Sequence, residues 1–253
     1  MSWLSSLGDI AKTGFTWLSG NSIGSQLAKT ALTGFILNQV AGNVNKGNDA
    51  DKESGSRIQV NPNPTASIPV VYGKAVVKGI ITDAVLTNSN QTMWYCLVLS
   101  EKTGTKLSDS AASSFTFKDI YWNNERLIFN SDGITVSKAV DNTGYENTEP
   151  AGLIKVYCFN GSSVAPVVPS NYTNASLSAA TSLFPNWTVN HFMNDLIFVL
   201  IRMDYSSSKN VTSIGEWDFV IENSMTLPGD CLYDYMINTR YGAGIPSSEI
   251  FDV

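Results

Sequence analysis

The chain has 253 residues, 43% hydrophobic and only 15% charged, with 16 basic and 22 acidic side chains and a net charge of −6. That apolar share is enough to bury a core, as one large β domain or as two modules. The shortage of Lys and Arg excludes a grip on nucleic acid through phosphate neutralisation.

Residues 1–45 carry apolar side chains at helical spacing: Trp3, Leu7, Ile10, Gly14, Trp17 and Leu18, then, after a polar break at residues 19–21, Ile23, Leu27, Ala31 and Phe35. Two short amphipathic helices are predicted. No basic stretch precedes the apolar part, and Lys12 and Lys29 interrupt any membrane-length run of about 20 apolar residues, so neither a secretory signal nor a transmembrane helix is expected. Gly20, Gly24 and Ala28 recur every four positions and would admit a second helix at close range; packing against protein is preferred to contact with a bilayer. Residues 46–57, KGNDADKESGSR, lack apolar anchors and read as a linker. Asp49, Asp51 and Glu53 alternate as in a calcium loop, but Ser54 stands where that loop needs glycine and no closing Glu follows. No metal is expected there.

From Ile58 the pattern changes to strands. Residues 68–73 lead into a β-branched run over 74–86, in which Gly79 marks a bulge or a close backbone approach. Residues 93–99 are apolar at both parities and should be covered on both faces. Residues 115–122 and 126–129 flank Asn123, Asn124 and Glu125, predicting a hairpin on a three-residue turn. Further strands are expected at 153–159, 196–203 and 216–222, with a short helix at 175–183 capped by Asn174. The fold class is therefore mainly β, a sandwich or barrel with an N-terminal helical segment and short helical decorations.

The stretch Leu227 to Pro246, LPGDCLYDYMINTRYGAGIP, opens with Pro228, Gly229 and Asp230, suited to a first helical turn. Cys231, Leu232, Tyr235 and Met236 are expected to form its apolar face, and Gly242, Ala243 and Gly244 its exit. Four segments result: helical residues 1–45, the linker 46–57, a β-rich body 58–224, and a helix with a glycine-rich exit, 225–253.

Few residues point to chemistry. Cys96, Cys158 and Cys231 show no paired spacing and read as reduced thiols; Asn-x-Ser/Thr sequons such as Asn90 and Asn210 arise by chance in so polar a chain. His191 is the only histidine and no Gly-x-Ser-x-Gly elbow exists, so it reads as a loop or strand-start residue. Glu216, Asp218 and Glu222 share one strand parity while Trp217, Phe219 and Ile221 take the other, so the acids should face water. No catalytic residue, cofactor or metal is predicted.

Three segments also carry a resemblance. Residues 68–74, IPVVYGK, are similar to a "P-x-V-Y-G" opening; Leu97 to Glu101, followed by DIYWNNE at 119–125, is similar to an "ALSEG…I-x-L-N-D" pairing; and LPGDCLYDYMINTRYGAGIP resembles the block closing the N-terminal half of the central tail-tip and baseplate-hub proteins of long-tailed bacteriophages, the family of the lambda host-specificity protein. Coverage is roughly residues 68–130 and 187–246. Lys102 and Thr103 depart from the family's Gly-Glu-like turn. The resemblance implies a virion component: a homotrimer at the distal end of the tail tube, with tube-like β domains around the DNA exit path and with tube, distal-tail and tape-measure proteins as neighbours. It also implies continuation past residue 251, so that the chain is either a shortened hub component or the N-terminal part of a longer product. On this reading Arg240, Tyr241, Trp3, Trp17 and Phe35 are interface candidates, with Arg240 bonding the last helical carbonyls or pairing with Asp234, and Glu216, Asp218 and Glu222 form a candidate acidic lumen row that repels phosphate. The alternative is a carbohydrate-binding or adhesive β module using Trp94, Trp122, Trp187 and Trp217.

Overall fold

The computed structural model describes residues 66–162, 165–172, 179–188, 191 and 193–250. The expected helices of residues 1–45, with Trp3, Trp17 and Phe35, the linker 46–57, and Asn174 with residues 175–178 lie outside the described residues. The strands are β1 (Lys74–Val77), β2 (Ile80–Thr87), β3 (Thr92–Glu101), β4 (Phe115–Trp122), β5 (Glu125–Phe129), β6 (Val136–Val140), β7 (Glu146–Asn147), β8 (Ile154–Asn160), β9 (Leu196–Asp204) and β10 (Trp217–Asn223). They form two antiparallel sheets, ordered β1-β10-β4-β5-β6-β7 and β2-β3-β9-β8. Helices are short: α1 (Ala180–Leu183), α2 (Pro228–Ile237) and α3 (Ser247–Ile250). The mainly β expectation holds as two packed antiparallel sheets.

Side-chain alternation explains the layering. Leu97 and Leu99 of β3, Val156 of β8 and Val199 and Ile201 of β9 point between the sheets, where they meet Phe117, Ile120, Phe219 and Ile221 of the larger sheet. The opposite face of the smaller sheet, carrying Cys96, Val98, Phe159 and Leu200, is covered by Ile134, Ala180 and Phe184. Residues 93–99 are thus buried from both sides, which is why their sequence shows no alternation. Strand β4 solves a parity problem: Phe115 and Phe117 face the core, as do Ile120 and Trp122, and the register shift opposite Val220 and Ile221 supplies the extra residue that keeps all four inside.

The run over 74–86 is two strands, not one. β1 pairs with β10 in the larger sheet and β2 with β3 in the smaller, so the chain changes sheet at Lys78 and Gly79. Gly79 adopts φ +80°, and a Cβ there would lie 2.8 Å from Leu99 Cδ2 and 3.2 Å from Leu97 Cβ, the close approach expected of it. The hairpin turn has two residues rather than three: Asn123 and Asn124 take φ of 52° and 65° and Trp122 pairs with Glu125. Consecutive left-handed residues give the tight turn that matches strand twist, and Asn tolerates that conformation. β6 and β7 escaped the sequence pattern because β6 buries only Val136 and Ala139, three positions apart across a shifted register.

Candidate functional site

The most organised polar region lies where α2 meets the sheets. Leu227 precedes the helix in extended conformation, Pro228 takes a first-turn position where its missing N–H is no loss, and Asp230 stands in that turn. The buried side chains of α2 are Asp230 (3% exposed) and Asp234 (1%), whereas Leu232 (60%) and Tyr235 (51%) face outward. This reverses the apolar face expected from Leu232 and Tyr235; Cys231 and Met236 are half-buried. The reason is the opposing surface. The connection from β3 to β4 presents amides and hydroxyls rather than apolar side chains.

Two carboxylates one helical turn apart read that surface. Asp230 accepts from the Ser108 amide at 2.8 Å and the Ser108 hydroxyl at 2.7 Å. Asp234 Oδ1 accepts from the Gly104 amide at 2.8 Å, and its Oδ2 accepts from the hydroxyls of Tyr72 (2.8 Å) and Tyr241 (2.6 Å). A Cβ at residue 104 would stand 2.9 Å from Asp234 Oδ1, so glycine admits the carboxylate. Burial first, and then the bond to Asp234, pushes the Tyr72 and Tyr241 hydroxyls well above the usual phenol range.

Beneath this lies Asn223, at the end of β10 and fully buried. Its amide nitrogen donates to the Val71 carbonyl (2.7 Å) and to Thr103 Oγ1 (2.8 Å), while its oxygen accepts from the Met225 amide (3.0 Å). The Thr103 hydroxyl donates to Ser113 Oγ, which donates to the Thr103 carbonyl. The Val71 amide donates to Ser100 Oγ. Each member has a partner, which is the condition under which a buried polar network specifies one arrangement.

Arg240 does not pair with Asp234, whose acceptor positions are taken by the tyrosines and Gly104. Its Nε sits 2.9 Å from Glu101 Oε2, with Arg240 48% exposed and Glu101 9% exposed at the side chain. Nor does Arg240 bond the last helical carbonyls: Ala243 N donates to the Tyr235 carbonyl and Ile245 N to that of Met236, each at 2.8 Å. Tyr241 is a hydrogen-bond donor to Asp234 besides packing there. Gly242 is demanded by proximity, since a Cβ would fall 1.9 Å from the Tyr235 carbonyl oxygen.

Glu216, Asp218 and Glu222 lie along β10 on the side opposite the buried Trp217, Phe219 and Ile221. They alternate with lysines: Lys78 pairs with Glu216 and Asp218, Lys118 with Glu222 at 2.8 Å, and Lys74 is in register with Glu222. The row is charge-paired rather than a net negative stripe. Of the four tryptophans, Trp122 and Trp217 are core residues whose indole N–H groups both donate to the Ile214 carbonyl. Trp94 stacks on Tyr157, and Trp187 donates to Asp83. His191 accepts from the Thr188 amide through Nδ1 and stacks on Trp187. Cys96 and Cys158 are free and buried, and Cys231 is free and half-buried.

Among the described residues no cluster of His, Cys, Asp or Glu could hold a metal ion, and no helix is long and apolar enough to cross a membrane. The sequence pattern missed Asp230, Asp234, Asn223 and Thr103 as the polar centre; the only sign was a pair of acids four apart in an otherwise apolar helix. No family model and no curated protein sequence matches the chain.

Proposed function

We propose that the chain is a structural subunit of a bacteriophage tail tip or baseplate hub, joining the distal tail tube to the tip as a homotrimer around the DNA exit path and performing no bond chemistry. The observation that carries this reading is the meeting of the three resembling segments. Tyr72 comes from the first, Glu101 from the second, and Asp234, Arg240 and Tyr241 from the third, yet Tyr72 and Tyr241 share one carboxylate and Arg240 lies against Glu101. Segments up to 162 residues apart in sequence thus act as one packing unit, which supports treating them as one inherited pattern rather than three coincidences.

An inert coupler also accounts for the character of the site. Its polar groups satisfy one another inside the protein, as suits a joint that holds a helix at a set angle. Cryo-electron microscopy of purified virions carrying an epitope-tagged copy tests the reading. Density for three copies around the tail axis beneath the last tube ring is expected; absence of the chain from purified particles would refute it.

A further inference from the structure

Beside the α2 junction an open cleft of about 410 Å³ runs between the end of β3 and the helix exit, lined by Glu101, Thr103, Asp195, Asn238, Arg240 and Tyr241 among others. Its volume is that of a small-ligand site. Glu101 is over nine-tenths buried, and its Oε2 accepts no hydrogen bond from the described residues although Arg240 Nε stands 2.9 Å away. The guanidinium therefore supplies charge without an aligned donor. A buried carboxylate oxygen in that condition is rare, because its desolvation is ordinarily offset by charge-assisted bonds.

The rest of the cleft supplies no better partner. Lys102 turns its ammonium to the Gly161 carbonyl at 3.1 Å. Asp195, exposed at the rim, adds a second negative charge within electrostatic reach of Glu101. Two carboxylates thus face one guanidinium, and that guanidinium belongs to a half-exposed side chain free to swing toward water.

We propose that this cleft receives the cationic head of a basic side chain from a neighbouring protein, an ammonium or guanidinium that bonds Glu101 and displaces Arg240, which acts as its placeholder. The exchange keeps the buried carboxylate neutralised throughout and replaces a misaligned contact by an aligned one. It would join the partner to the β body and the α2 exit together. The inference does not depend on the tail-tip reading, since any basic partner satisfies it.

The test is NMR titration of the full chain with Nα-acetyl-lysine methylamide and Nα-acetyl-arginine methylamide, with Nα-acetyl-glutamine methylamide as the neutral control. At least one cationic probe should shift the Thr103, Gly104 and Arg240 resonances saturably, and the control should not. Glu101→Gln should weaken binding about tenfold or more, the loss expected of a charge-assisted bond, and Arg240→Ala should strengthen it by removing the competitor. If Glu101→Gln does not fold, exposed Asp195→Asn gives the same reading through a several-fold weakening. Equal response to the neutral control, no saturable shift with either cation, unchanged affinity in the carboxylate variants, or weaker binding in Arg240→Ala would each overturn the proposal. Loss of the chain from virions with cation binding intact would defeat the tail-tip reading alone.

Discussion

Removing the Asp234 carboxylate should undock α2, although the helix keeps its apolar residues. Asp234→Ala deprives the Gly104 amide and the hydroxyls of Tyr72 and Tyr241 of their shared acceptor. Hydrogen bonds to a charged group contribute about 1.5–3 kcal/mol each. Both tyrosines are half-buried and can turn toward water, so the low end applies and part of it is recovered, leaving a loss of about 3–4 kcal/mol. Asp234→Asn keeps an acceptor for Gly104 but sets an NH₂ against two hydroxyl donors, which must rotate to accept; about 1–2 kcal/mol is expected. Leu232→Ala, on the exposed face, should cost no more than about 0.5 kcal/mol. Urea unfolding followed by tryptophan fluorescence, with far-UV dichroism as a second probe of two-state behaviour, measures all three. If Asp234→Ala fell within about 0.5 kcal/mol of wild type, or cost less than Leu232→Ala, the idea that acids rather than apolar groups hold the helix would be wrong.

Two further outcomes follow from charge and burial. Burial raises the Glu101 carboxyl above the usual range against the opposing charge of Arg240, so its folded-state value exceeds its unfolded one. The stability it contributes is full below the unfolded value and lost as pH rises through the folded value. Arg240→Met removes the opposing charge, and its deficit should be about 1–2 kcal/mol at neutral pH, discounted for a half-exposed guanidinium. That deficit should shrink as pH falls through the carboxylate range and vanish in a Glu101→Gln background; a pH-independent deficit in urea midpoints would count against the pairing. Burial pushes the Cys96 thiol up to about 12 and Cys158 higher still, so thiol reagents should modify the native chain at Cys231 and reach the other two only on unfolding. Peptide mapping that found Cys96 or Cys158 labelled before unfolding would show that the sheet opens locally.

Much of the β body was legible because burial leaves a mark on residue order. Residues 93–99 are apolar without alternation, and they proved to be covered on both faces by the sandwich core and by Ala180 and Phe184. The tight approach at Gly79 was also legible, but not that the chain changes sheets there, since pairing with β10 or with β3 is decided by residues more than a hundred positions apart. The hairpin turn was misjudged by one residue because Asn124 and Glu125 both suit a turn, and only the positive φ pair at Asn123 and Asn124 makes it two residues long.

At the polar junction the limits are different. The helix and its Pro228 start can be read from local preference, because capping and propensity act within a turn or two. The direction in which it faces cannot. Apolar periodicity assumes an apolar partner, whereas α2 lies against the amides and hydroxyls of Gly104 and Ser108, so Asp230 and Asp234 turn inward and Leu232 and Tyr235 outward. Composition and short-range pattern determined that this chain builds sheets, turns and a terminal helix. Which side chains became core, and that Tyr72, Asn223, Asp234 and Arg240 belong to one joint, was decided only by tertiary packing, because a hydrogen bond depends on what stands three ångströms away in space and not on what stands nearby in the chain.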